Sequence, residues 1–576
     1  MPMSLPPALR VLRRSALLTM TLLSACAAAE VVNSGQAMTP GAPVLAITGA
    51  PGDYLGGRFA ASEGDMGKAS DLFLQGLKLD PGNPDMEQEA FLATVLGGRP
   101  EAVTLAAQMP GNTTAELLLT NADVKAGRWD SAERRLAGVA KQGPIQLLQP
   151  LLLAWVQQGA GHTDAAEATL KPLVEGNRFR GGFALHAALI ADLAGRDADA
   201  QKFYAIAAAD SGGVSLQLAR MLASWYTRKG HEPEAEKVLA TLQDSSGEIG
   251  VSGPALYKAA GQRLVSTPAE GMAEAYLALA GALRGQESND LALIMLRLSL
   301  DLRPDLSVAR LLVAEILDAN HQTDDALQAL KPVPSSDPLI LVVQLREAAL
   351  EAKIGDTDAA LKLLDTVAAA TPDRPEAYAM RGDILREQKK FADAVVAYNA
   401  AVKRIPHQDR SNWPLFYERG ISLERSQNWP LAEADFLHAL ELSPDEPDVL
   451  NYLAYSWTEQ GKNLPRARKM LERAVEQRPN DGAVVDSLGW VVFHQGDIPG
   501  GVRLLEHAVE LDPTDATVNY HLGDAYWAAG RKLEAQFQWR RALSLKPEPE
   551  DVAKLQAKLH ESEVALGNLP PAKSIP

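Results

Sequence analysis

The feature that most constrains this chain is a self-similar period of about 34 residues. The stretches DSLGWVVFHQGDIPGGVRLLEHAVELDPTD and NYHLGDAYWAAGRKLEAQFQWRRALSLKPE align so that Leu488-Gly489 matches Leu522-Gly523, Gly496 matches Gly530 and Pro513 matches Pro547, all at the same spacing. Each recurring residue has a mechanical reason. A glycine ends a first helix, where a positive φ is often required. A small residue early in the second helix lets the two helices approach closely, and a proline stops the second helix. The small residue recurs as Ala69, Ala102, Ala132, Ala166, Ala200, Ala235, Ala292, Ala326, Ala360, Ala394, Ala432, Ala467, Gly501 and Ala535, fourteen candidate units mostly one period apart. The closing proline recurs at Pro81, Pro304, Pro372, Pro406, Pro444, Pro479, Pro513 and Pro547. One helix pair cannot bury its apolar faces alone, so the units must stack, and the chain is expected to be all-α.

The register is strong from Ala292 onward and less regular between Ala102 and Ala235, where closing prolines are missing. One interval breaks it: the step from Ala235 to Ala292 is well over one period long and holds DSSGEIGVSGPALYKAAGQRLVSTPAEG. Two readings stay open for residues 244–268, a joint dividing the array into two lobes or a decorated repeat without a mechanical role. The expected organisation has arrays over 56–243 and 269–547, and a capping helix with a Pro- and Lys-containing tail over 548–576.

The N-terminal segment reads as an address. Arg10, Arg13 and Arg14 precede a short apolar run from Ala16 to Leu23, too short to remain as a membrane-spanning helix. The run ends in Leu23-Ser24-Ala25-Cys26, which resembles the lipobox of bacterial lipoprotein signal peptides. That resemblance implies a signal peptide over 1–25 and lipidation of Cys26, the only cysteine in the chain. Ala27 in place of an aspartate implies sorting to the outer membrane, with the body facing the periplasm. Residues 26–55 have no sustained period and read as a linker. A flexible coil of that length reaches on the order of 30 Å.

Composition narrows the function. The net charge is −17, and the positively charged leader contributes against it, so the body is strongly acidic and lacks the basic face that nucleic-acid binding needs. A single cysteine excludes an internal disulfide or a thiolate metal cluster. His231-Glu232 and His560-Glu561 open like a metalloprotease motif, but Ala235 and Val564 stand where its second histidine must be. There is no phosphate-binding glycine loop and no nucleophile elbow; GVSGP at Gly250 lacks the strand–turn–helix context. The ten histidines are scattered singly and read as packing or surface residues. No cofactor or metal is expected, and the chain reads as a binding scaffold, not an enzyme.

The Leu-Gly pair, turn glycine, helix-B alanine and closing proline resemble the tetratricopeptide (TPR) pattern, which implies a right-handed α-solenoid of about fourteen repeats. In that family the first helices line a concave groove. Repeat positions that point inward would here carry Tyr417, Arg425, Asn451, Tyr455, Asp486, Trp490, Phe493, Tyr520, Asp524 and Trp527. Six of the nine tryptophans lie between Trp413 and Trp539. Trp457, Tyr526 and Trp539 fall on helix-packing positions and are expected to be structural, whereas large groove side chains are candidate anchors for a partner. The Lys and Asn arrangement that clamps a partner's C-terminal carboxylate is not evident.

LNYLAYSWTEQGKNLPRA, DSLGWVVFHQGD and HLGDAYWAAGRKLEAQFQWRRAL, in that order, resemble a narrower group of proteobacterial TPR lipoproteins. The group includes adaptors that bring carboxy-terminal-processing proteases to cell-wall hydrolases. Ala454 and Gly500-Gly501 depart from its usual Gly and Glu-Ala. The resemblance implies protein partners, a periplasmic protease and cell-wall enzymes among them; an assembly or export component of envelope biogenesis is the alternative.

Overall fold

The computed structural model describes residues 49–176, 179–210, 215–243, 247–283, 289–405 and 407–567. Cys26, the leader and most of the linker lie outside the described residues. Thirty α-helices follow one another along the described chain, with two short 3-10 turns. None is long and apolar enough to cross a membrane. The apolar run near Leu147 forms helix Ile145–Gly159, with Pro150 inside it.

The expected local causes are in place. All fourteen helix-B small residues are buried. Turn glycines hold left-handed backbone, with φ of 90° at Gly496 and 81° at Gly530. Asp481, Asp497 and Asp515 cap the next helices by accepting backbone N–H bonds, for example from Gly500 at 2.9 Å. The glycine of the Leu-Gly pair makes room for its partner helix. A Cβ on Gly523 would lie 2.4 Å from the Trp539 ring, and one on Gly489 would lie 2.8 Å from Leu505.

The chain divides into two compact units that part between Ala377 and Tyr378. The described part of the expected joint, 247–268, lies within the N-terminal unit as a 3-10 turn, Glu248–Ser252, and a helix, Gly253–Ala259, followed by a loop. Polar clamps explain why this glycine-rich stretch packs down. Ser224 donates to the Gln262 carbonyl at 2.6 Å, Arg303 donates to the Leu264 carbonyl at 2.9 Å, and Arg263 reaches Asp192 at 3.3 Å.

In the N-terminal unit the first helices of successive pairs, Pro84–Leu96, Thr113–Lys125, Ile145–Gly159 and Arg180–Leu193, pack against a later hairpin of the same unit. That hairpin is Pro268–Leu283 and Asn289–Leu302. Asn121 donates to the Leu298 carbonyl at 3.0 Å and accepts from the Tyr276 hydroxyl at 3.2 Å. Arg297 donates to the Leu96 carbonyl at 2.8 Å, and Lys125 pairs with Asp301 at 2.6 Å. Gly271 lies against Trp155 so closely that a Cβ there would meet the ring at 2.3 Å.

Candidate partner-binding surface

In the C-terminal unit the first helices Pro447–Glu459, Gly482–His494 and Ala516–Ala528 lie side by side, each backed by its own second helix. Their shared face gathers most of the residues expected there. Trp490 is its centre. The indole stacks on Phe493, with ring centroids 5.2 Å apart, and on His521 at 4.0 Å, and its Nε1 donates to Glu459 at 2.6 Å. Tyr455 lies 6.0 Å from the His521 ring. Asp486 pairs with His521 Nδ1 at 2.8 Å. Burial alone would lower the His521 pKa, but the Asp486 carboxylate, with Glu459 and Asp524 near it, raises it above the ordinary value. The neighbouring His494 is shifted the other way, lowered by burial.

Several of the side chains expected to anchor a partner also serve the fold. Trp490 is only 7% exposed and Tyr455 3%. Tyr417 is a core residue, packed on Phe436 and Tyr452 at 6.1 and 5.9 Å, because a large apolar ring gains more by turning into the helix interface. Burial pushes its hydroxyl pKa up. Asp524 is engaged by Trp539 Nε1 at 2.9 Å and by Lys558 at 2.8 Å. Trp527 lies 5.4 Å from Trp539, with the Lys532 ammonium 3.7 Å from its centroid. Arg425, one repeat earlier than Glu459, lies over the Phe391 ring. Tyr520 is half-buried beneath Lys558. Trp457, Tyr526 and Trp539 are buried, as their packing positions imply.

Two groups on this face are incomplete. Neither side-chain amide atom of Asn451 has a hydrogen-bond partner among the described residues, nor does Asp486 Oδ1. Buried polar atoms are nearly always paired, and leaving one unpaired costs about 1–3 kcal/mol. Asn451 and Asp486 occupy corresponding places on successive first helices.

Glu459, His521 and Lys558 were not singled out from sequence. The signal for two of them was the period itself: Glu459 follows Arg425, and Lys558 follows Asp524, by one repeat. Among the described residues no group of His, Cys, Asp and Glu could hold a metal ion.

Sequence profiles of known families agree with this geometry. A tetratricopeptide repeat-like domain matches residues 267–413, and tetratricopeptide repeats match 417–482 and 492–559. The fold is a TPR solenoid. Asp486 and Trp490 fall in the short gap between the last two TPR matches. A TPR repeat-containing protein of Pseudomonas aeruginosa is 26% identical over 166 residues, which is 29% of this chain and 27% of that protein. Tetratricopeptide repeat protein 13 of Homo sapiens is 26% identical over 190 residues, 32% of this chain and 21% of its own. The TPR stretch shared with these curated relatives thus spans only about a quarter of their length. Among solved structures, the APC/C hetero-tetramer Cut9-Hcn1 is similar with a TM-score of 0.38 and 15% identity, over 90% of this chain and 97% of that one. Yeast Tom70 is similar with a TM-score of 0.32 and 15% identity, over 79% and 96%.

Proposed function

We propose that this TPR protein is a membrane-anchored scaffold that holds partner proteins on the first-helix face of its C-terminal unit. The observation that carries the reading is the contrast in what covers the first helices. In the N-terminal unit they pack against the unit's own hairpin, Pro268–Leu283 with Asn289–Leu302. In the C-terminal unit Lys558 of helix Pro549–Gly567 reaches Asp524 and Tyr520, while Phe493, Tyr520 and Trp527 stay half-buried and the Asn451 amide and Asp486 Oδ1 stay unpaired among the described residues. Aromatic side chains bury much area at little entropic cost, which suits them to anchoring a partner.

The lipobox-like segment ending at Cys26 supports anchorage of the body to the outer membrane, facing the periplasm. Within that setting the finer reading is an adaptor that brings a periplasmic protease to cell-wall enzymes, supported by the three C-terminal phrases; an export or assembly role is the alternative. Two experiments test the reading. Cys26→Ala should release the protein from the membrane fraction, and retention after a salt wash would refute the anchor. Phe493→Ala should leave the fold intact and weaken partner capture by about 1–2 kcal/mol, in the range of interface anchors. Undiminished capture by that variant would place the binding surface elsewhere.

A further inference from the structure

The hydrogen-bonding chemistry of the same face points to what kind of partner side chain it takes, an inference that rests on the binding role proposed above. We infer that the face between Pro447–Glu459 and Gly482–His494 receives an arginine side chain of an extended partner segment. Glu459 is exposed, and one of its oxygens is already fixed by the indole of Trp490. It therefore stands as an oriented carboxylate at the rim of an aromatic stack. Phe493 continues that stack and remains half-exposed, with one face on Trp490. About two helical turns earlier on the same helices, Asn451 and Asp486 Oδ1 are buried without a hydrogen-bond partner among the described residues.

A ligand that answers this rim must bring N–H donors to the Glu459 carboxylate and a planar group able to lie on the Phe493 ring. A guanidinium does both. It carries five donors in one plane, pairs with carboxylates two bonds at a time, and stacks on aromatic faces. An ammonium is a compact, strongly hydrated charge and satisfies only the first requirement. The field has the matching sign: Asp486, Glu459 and Asp524 all act on His521 to favour its charged form. The cations that bear on this end are engaged: Lys554, which acts on Glu459, pairs with Asp551, His521 pairs with Asp486, and Lys558 and Lys532 are engaged with Asp524 and Trp527.

The test uses the full-length protein and three fluorescein-labelled peptides of equal length, Gly/Ser chains carrying three arginines, three lysines or three glutamates. Anisotropy is read near physiological salt, where surface attraction beyond about 8 Å is screened. The arginine peptide should bind at least about tenfold tighter than the glutamate peptide and measurably tighter than the lysine peptide. Glu459→Gln keeps an acceptor for Trp490 and removes only the charge. It should weaken arginine-peptide binding by about tenfold with an unchanged circular dichroism spectrum. Equal binding of the arginine and glutamate peptides, or no response to Glu459→Gln, overturns the inference. In either case Phe493→Ala separates the two claims. If it weakens glutamate- or lysine-peptide binding, the face still binds partners and only the arginine assignment fails. If it alters no peptide and no partner capture, the binding role falls with it.

Discussion

The two units are built from the same helix pair and differ in what their first helices meet. In the N-terminal unit, Trp155 and Asn121 are sealed beneath the hairpin 268–302, and the amide of Asn121 is paired across that contact. In the C-terminal unit, Trp490 is stacked by its own neighbours, Lys558 of helix Pro549–Gly567 reaches Asp524, and the Asn451 amide and Asp486 Oδ1 are left unpaired among the described residues. A repeat therefore specifies how helices pair but not whether its inner face is free. That second property depends on residues far along the chain, such as Leu298 meeting Asn121.

The largest expected effect tests the sealed face. Trp155→Ala removes a fully buried ring that packs on Gly271 and donates to His186 at 3.0 Å. It should cost about 3–5 kcal/mol. Amide exchange should then accelerate in Ile145–Gly159 and Pro268–Leu283 and stay unchanged in Gly482–His494. Trp490→Ala should also destabilise, by about 3 kcal/mol, with the faster exchange confined to the C-terminal unit. A variant as stable as the parent protein would mean that Trp490 contributes no packing.

Acid sharpens the contrast, because the two buried histidines respond in opposite directions. Burial lowers His186 from 6.5 to about 4. The unfolded chain then binds the proton more readily, so this contribution is present at neutral pH and is lost as pH falls below histidine's ordinary value. The loss should be about 2 kcal/mol between pH 7.5 and pH 5. A His186→Gln variant should lack that component of the urea-unfolding profile. His521 is raised, with Asp486 as its charged partner. Its contribution is present below the ordinary histidine value and is lost as pH rises through the folded value. The stability difference between parent and His521→Asn should therefore be larger near pH 6 than near pH 9. The same difference at both would show that the pair does not ionise as described.

Much of the architecture was legible in the sequence because it is set by residues close together. The alanine ladder, the turn glycines and the Leu-Gly pair each act within one helix pair, so the repeat period reveals them directly. Two things were not. The loop-like composition of 244–268 left a joint and a decorated repeat both open, and the packing of its described part comes from Ser224, Arg303 and Asp192, which no local pattern connects to it. Within the candidate face, repeat register puts Tyr455, Asp486, Trp490 and Phe493 on neighbouring first helices, where they meet around His521 and Trp490. It could not say that Tyr417, at the place equivalent to Asn451, would turn its ring into the core. Position gives a side chain's direction, and the size and polarity of the neighbours decide where it ends.

The most direct test of the central claim compares photo-cross-linking from the first-helix faces of the two units. A benzophenone amino acid is placed at Phe493 in one variant and at Lys125, which pairs with Asp301 of the hairpin, in the other. In living cells the first should yield adducts with partner proteins, and the second only adducts within the chain. Partner adducts from position 125 with none from position 493 would contradict the account.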